Sequence, residues 1–197
     1  MRKIIGFFVR KYRNQKEHIY SMKFRFSMWL ANVDASGVSI CKGCPIVDIH
    51  DGAKVKFGTN IWFNNYHNTG WFTNSMIHVG SKGELFMGDN SGANGALIFC
   101  EEKISIGNNV NIGGGTRIYD TDFHPLDWQK RRVSNDGTKT APVVIEDDVF
   151  IGTGCIIGKG RHIGARSIIA AGSVVVKDIP ADCIAGGNPC KVLKNLL

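Results

Sequence analysis

Residues 145–175 read IEDDVF-IGTGCI-IGKGRH-IGARSI-IAAGSV-V, in which Ile145, Ile151, Ile157, Ile163, Ile169 and Val175 recur at every sixth position. Gly152, Gly158, Gly164 and Ala170 follow directly behind four of them. A second register of small or apolar residues, Val149, Cys155, Ser167 and Ser173, runs four positions later, with Arg161 the departure. A period of six fits neither the 3.6 of an amphipathic helix nor the 2.0 of a simple strand. It is the signature of a parallel β-helix made of hexapeptides, each supplying one short strand and one turn. Three hexapeptides close a triangular coil, so Ile145 should stack on Ile163, Ile151 on Ile169 and Ile157 on Val175. Coils should lie about 4.7–4.9 Å apart, the usual interstrand spacing. The aliphatics fill the prism, while glycine or alanine sits where a larger side chain would crowd the corner.

Working outward, Ile106, Ile112 and Ile118 repeat the theme, with Gly107 and Gly113 behind two of them. Further upstream only fragments remain, Ile49–Val55–Ile61 and Val79–Leu85, which read as irregular early coils. The expected architecture is all-β: a parallel β-helix over residues 31–197, with a helical segment over 1–30, a protruding loop over 119–143 and a C-terminal tail over 187–197.

The chain has 197 residues, 43% of them hydrophobic, enough for one domain with an ample core. No run of eighteen apolar residues exists, so no membrane span is expected. The start of the chain lacks a signal-peptide pattern, which points to the cytoplasm. Of the formal charge of +7, all resides in residues 1–30, where eight basic residues face Glu17 alone. The remaining body is neutral and offers no basic face to nucleic acid. The same segment contains Ile4, Ile5, Phe7, Phe8, Val9, Tyr12 and Tyr20, so it can form one or two basic amphipathic helices. Such a helix lies on an anionic membrane surface, here the inner membrane face, or caps the open end of the solenoid. The cap is the favoured reading. Six cysteines include one C-x-x-C pair, Cys41 and Cys44, too few for a structural zinc site, and reduced thiols are expected.

Between Ile118 and Ile145 the period breaks for a polar stretch. It contains Tyr119-Asp120-Thr121-Asp122-Phe123-His124-Pro125-Leu126-Asp127, then Lys130-Arg131-Arg132 and Asn135-Asp136-Gly137. A solenoid propagates strand on strand, so this insertion must leave at a corner, where repeat proteins place function. Asp120, Asp122 and Asp127 are all candidates to orient the imidazole of His124.

Ile106-Gly107-Asn108-Asn109-Val110, the His124-Pro125 step with Arg131, and Val174-Val175-Val176-Lys177-Asp178-Ile179-Pro180 resemble the hexapeptide-repeat O-acetyltransferases. So does the ending Ala185-Gly186-Gly187-Asn188-Pro189-Cys190-Lys191-Val192. The resemblance covers residues 93–194 well, 35–92 weakly and 1–30 not at all. The family includes galactoside, maltose, capsule and lipopolysaccharide sugar acetyltransferases. It implies a left-handed β-helix, a homotrimer with sites shared between subunits, and acetyl-CoA as co-substrate. It further implies His124 as general base and the backbone of Thr153, after Gly152, as oxyanion donor. The acceptor side falls to Asn94, Arg131 and Asp122, with a one-residue shift at Asn94. Coenzyme A falls along Gly152, Thr153, Ala171, Lys177, Lys191 and Lys194, where lysines suit its phosphates.

No metal is expected. Carbonic anhydrases of the same β-helical class hold zinc with two histidines five apart plus a third, and His50, His67 and His78 do not supply that spacing. Trp62, Phe63, Tyr66, Trp71 and Phe72, among Asn64, Asn65, Asn68 and Asn74, form an aromatic-amide cluster that either stacks on a sugar or packs the subunit. The leading expectation is acetyl transfer to a sugar or glycan-precursor hydroxyl in polysaccharide biosynthesis. The alternatives are acetylation of a xenobiotic such as an antibiotic, and a non-catalytic β-helical scaffold or sugar-binding protein.

Overall fold

The computed structural model describes residues 2–65 and 74–197, and in the first helix the side chains of residues 11, 12 and 15 onward. Helix α1 (Arg2–Leu30) leads into β1 (Val38–Lys42), β2 (Ile46–Ile49) and β3 (Lys54–Phe57), which make the first coil. The second coil holds β4 (Ile61–Asn64), β5 (Met76–Val79) and β6 (Glu84–Met87). The third holds β7 (Gly92–Asn94), β8 (Leu97–Cys100) and β9 (Lys103–Ile106). In the fourth, β10 (Asn111–Ile112) and β11 (Arg117–Tyr119) precede the loop with its short helix α2 (Trp128–Arg131), and β12 (Val143–Ile145) follows. Then come β13 (Phe150–Ile151), β14 (Ile156–Ile157) and β15 (His162–Ile163), and after them β16 (Ile168–Ile169), β17 (Val174–Val175), β18 (Cys183–Gly186) and β19 (Lys191–Asn195).

Every third strand joins the same sheet, which is what a three-sided coil requires. The first face is β1-β4-β7-β10-β13-β16-β18-β19, the second β2-β5-β8-β11-β14-β17, and the third β3-β6-β9-β12-β15. Pairing is parallel except where β19 turns back antiparallel on β18. The coil winds left-handed. Ile145 pairs with Ile163, Ile151 with Ile169 and Ile157 with Val175, as the six-residue period requires. Ile106, Ile112 and Ile118 lie one coil below, opposite Ile145, Ile151 and Ile157. All nine are essentially inaccessible to solvent and form the prism interior. Upstream, Ile49 pairs with Val79 and Val55 with Leu85, so the fragments are true coils with longer corners.

Coils approach most closely at the corners. A Cβ on Gly152 would lie 2.5 Å from the Ala171 nitrogen, which is why the position behind Ile151 is glycine. At the corner between the third and first faces, Asn60, Asn90, Asn109 and Asp148 all adopt positive φ, 55° to 60°. Asparagine and aspartate tolerate that region, and here they stack. The Asn60 amide donates to Asn90, Asn90 to Asn109 and Asn109 to Asp148, at 3.0, 3.3 and 2.9 Å. This ladder gives the Gly107-Asn108-Asn109 motif its structural purpose.

Helix α1 packs on the first coil. Phe24 and Met28 are fully buried, and the Phe24 ring meets those of Phe63 and Phe57 at 5.4 and 6.3 Å. The Ser21 hydroxyl accepts from the Cys41 N–H, and the Arg25 guanidinium donates to the Val38 carbonyl. Each buried side chain of this size contributes about 1.5–3 kcal/mol, so α1 closes the end of the prism. Its other side leaves Tyr12, Ile19, Met22, Phe26, Trp29 and Leu30 exposed. Among the described residues no helix is long and apolar enough to cross a membrane.

Candidate active site

The loop leaves the second face after Tyr119 and returns at Val143, at the corner between the second and third faces. Its root is fixed by Asp120, which is fully buried. The Asp120 carboxylate accepts from the backbone N–H groups of Glu101, Glu102 and Lys103 at 2.8, 2.8 and 2.7 Å. Thr121 and Thr140 form an antiparallel bridge above it, and Asp122 N–H donates to the Lys139 carbonyl. The insertion therefore stands on a two-stranded stem.

At the tip, Asp127 caps α2 by accepting from the Gln129 N–H, and Arg131 donates to the carbonyls of Pro125 and Leu126 at 2.9 and 3.3 Å. Arg131 thus braces the turn that presents His124. Phe123 holds φ +62°, a region a bulky residue enters at a cost of about 1–3 kcal/mol. Its ring packs on Phe99 and Tyr119 at 4.9 and 5.3 Å, contacts that hold it there. Such strain directly before His124 marks a position held for its geometry.

The His124 ring is exposed, with Nδ1 3.0 Å from the Asn135 Oδ1. An amide oxygen accepts, so Nδ1 carries the proton and Nε2 keeps a free lone pair. None of the three candidate acids performs this task. Asp120 is committed to the backbone, Asp127 to α2, and Asp122 to Lys159 at 3.5 Å. Asn135 carried no sequence signal beyond belonging to an Asn-Asp-Gly turn. Beneath the loop lies a cleft of about 490 Å³, lined by Lys82, Phe99, Glu101, Thr121, Phe123 and Asn135.

The other predicted residues sort by corner. Lys177 is exposed on the corner that carries the loop, with His124, Arg131 and Asp122. Asn94, Gly152, Thr153 and Ala171 fall in one column at the corner between the first and second faces. There Gly115 N–H donates to the Gly95 carbonyl, Gly154 N–H to Gly114, and Gly172 N–H to Thr153. Lys191 and Lys194 are exposed on β19. A single chain therefore holds His124 and its Thr153 corner on different edges of the prism. In the aromatic-amide cluster, Phe63 is core, Asn65 is buried and bonded to Ser75 N–H, and Trp62 lies flat on Gly92, where a Cβ would clash. Tyr66, Trp71, Phe72, Asn68 and His67 lie outside the described residues. Burial pushes the thiols of Cys41 and Cys100 up to about 12, so neither is a thiolate near neutral pH.

The family model for the bacterial transferase hexapeptide (six repeats) matches residues 142–177, which include the stretch that gave the period. A hexapeptide-repeat acetyltransferase from Vibrio cholerae is 32% identical. The match covers 75% of this chain and 72% of that one, with a TM-score of 0.56. A maltose O-acetyltransferase from Clostridium difficile 630 is 36% identical over 76% of this chain and 71% of its own, with a TM-score of 0.52. The chain belongs to the hexapeptide-repeat acetyltransferases. The galactoside O-acetyltransferase of Escherichia coli is 34% identical over 61% of this chain and 58% of its own length. Against the first curated relatives it matches, the chain spans about half their length.

Proposed function

We propose that the protein transfers the acetyl group of acetyl-CoA to a hydroxyl of a sugar or glycan precursor, as a homotrimer, with His124 as general base. The observation that carries this reading is the Asn135 Oδ1 contact, which fixes the proton on Nδ1 and leaves Nε2 as the acceptor. In the forward step Nε2 takes the proton from the acceptor hydroxyl as its oxygen attacks the thioester carbonyl. The resulting oxyanion is stabilised by the Thr153 N–H. Collapse breaks the carbon–sulfur bond, and the departing thiolate recovers the proton from Nε2, while Nδ1–H stays with Asn135. The separation of the His124 and Thr153 edges supports the trimer: one chain's loop then faces a neighbour's Asn94–Thr153–Ala171 column. Lys177, Lys191 and Lys194 hold the coenzyme phosphates. Sugar hydroxyls as acceptors are supported by the names of the maltose and galactoside relatives.

His124→Ala tests the assignment. Turnover of acetyl-CoA with a sugar acceptor should fall by at least about 100-fold, the lower range for general-base catalysis, while acetyl-CoA affinity stays unchanged. Unchanged turnover would remove His124 from the chemistry.

The outward stripe of α1 extends the same reading to place. Ile19, Met22, Phe26 and Trp29 follow one another at three- or four-residue steps, flanked by Lys16 and Lys23. That is the pattern of a helix lying on an anionic bilayer, and it would hold the enzyme at the inner membrane face where lipid-linked glycans are assembled. Sedimentation of the full chain with phosphatidylglycerol vesicles, but not with the double variant Phe26→Asp and Trp29→Asp, is the expected result. Equal sedimentation of both would dismiss membrane contact through this stripe.

A further inference from the structure

Below the loop, next to the Phe99 and Glu101 that line its cleft, lies a second cluster of titratable side chains to which the acetyl-transfer reading assigns no role. Asp48 lies on β2 and His50 directly follows its last residue, two positions on, where the two side chains meet. Asp48 is the register partner of His78 on β5, which brings the three together across thirty residues of chain. His78 is only 7% exposed and stacks on Phe99 at 4.0 Å with planes 15° apart, so its ring cannot turn freely. Its Nε2 lies 3.1 Å from Glu101 Oε1, and its Nδ1 lies 2.7 Å from Asp48 Oδ2.

A neutral imidazole has one N–H. Given to Glu101, that proton leaves the Nδ1 lone pair facing a carboxylate oxygen at 2.7 Å, a repulsion that either a second proton or, with the carboxylate drawn back, a shared cation relieves. His50 presents a third donor, its Nε2 3.5 Å from Asp48 Oδ1. The ligand atoms of all three residues lie within 4.8 Å of one another. Donors around a tetrahedral zinc at about 2.0–2.2 Å are separated by roughly 3.3–3.5 Å. Small side-chain adjustments therefore close the set on one ion.

We infer that Asp48, His50 and His78 bind one divalent transition-metal ion of the zinc class, with Glu101 as the carboxylate that orients His78. Metal-bound histidines commonly donate their other N–H to a carboxylate, and here Glu101 is in place to accept it. Two imidazoles and one carboxylate favour zinc, cobalt or nickel over magnesium and calcium, which take oxygen donors. The fourth position opens to solvent, because Asp48 and His50 are half exposed. The ion ties the first coil to the second where the repeat is least regular. The proposal is independent of the acetyl-transfer reading.

The test is titration of chelator-treated protein with Co²⁺ by visible absorption and with Zn²⁺ by calorimetry. One equivalent per chain is expected, with the ligand-field bands of a low-symmetry nitrogen–oxygen site and no response to Mg²⁺. His50→Ala and Asp48→Asn, both at half-exposed positions, should each weaken binding at least tenfold and leave the far-ultraviolet circular dichroism unchanged. His162→Ala removes a histidine–carboxylate pair elsewhere on the coil, with Glu146 at 2.7 Å, and should not alter binding. Absence of saturable Zn²⁺ binding would overturn the site and make His78 an imidazolium held between two carboxylates. Binding that survives both His50→Ala and Asp48→Asn, or that is lost equally in His162→Ala, would overturn it as well.

Discussion

Replacing Asp120 by Asn changes one oxygen to an NH₂ group in a carboxylate that receives three backbone N–H groups. The buried side chain has no room to turn the amide away. At best Asn keeps its oxygen toward Glu102 and Lys103, and its NH₂ then confronts the N–H group of Glu101. Each hydrogen bond to a charged acceptor contributes about 1.5–3 kcal/mol, and a buried donor left unpaired costs about 1–3 kcal/mol. Since the 101–103 turn is partly exposed and can recruit water, the net loss should be about 3 kcal/mol. For a chain of this length that lowers Tm by roughly 6–12 °C. Asp122→Asn is the control: it removes the same charge two residues away, but only breaks a 3.5 Å contact with Lys159, for about 0–1 kcal/mol. Thermal unfolding by circular dichroism, at one protein concentration for all variants, compares them directly. If Asp120→Asn melts within about 2 °C of Asp122→Asn, the claim that the buried carboxylate anchors the loop is wrong.

Other expectations follow from the same geometry. Asn135→Ala frees the imidazole to take the wrong tautomer, so kcat should fall about tenfold with KM for acetyl-CoA unchanged; a change confined to KM would refute the orienting role. Ellman's reagent at pH 8 should titrate one thiol per native chain, Cys44, since the other five are buried, and all six after denaturation. Rapid reaction of more than one would contradict the burial that raises the Cys41 and Cys100 values. The Ala165 N–H, and after it His162, hold the Glu146 carboxyl below its ordinary value. Its stabilisation is therefore fully present above about pH 4.3 and is lost as pH falls through the lowered native value. Glu146→Gln should flatten that part of the Tm-against-pH curve, and a curve identical to the parent would refute the coupling.

The regular coils were legible because each hexapeptide encodes its own strand and turn: Ile151, Gly152 and the small residue at Cys155 specify a coil without reference to distant chain. His124 was legible because it interrupts that order. Its partner was not. Three acids stood nearer in sequence than Asn135, and only the stem formed by Thr121 and Thr140 folds the chain back to bring Asn135 beside the ring. Asp120 looked like a candidate for the imidazole because nothing local shows that its carboxylate points at a turn one coil away. The pairing of Asp48 with His78 was hidden for a related reason: thirty residues separate them in the first coils, against eighteen between Ile151 and Ile169, so no fixed period points from one to the other.

The antiparallel return of β19 on β18 has a consequence for assembly. Parallel coils end in open edges that can template another chain of the same kind, and a heterologous contact of that sort does not close but grows. Here Lys191–Asn195 occupies the exposed edge of the first face, and Leu196 N–H bonds back to the Asp182 carbonyl. At the opposite end α1 covers the first coil. The last strand of the first face is thereby covered at one pole and the first coil at the other. Cutting the chain before Lys191 should turn a discrete particle into one that polymerises head to tail, with the last coil of one copy seeding the next.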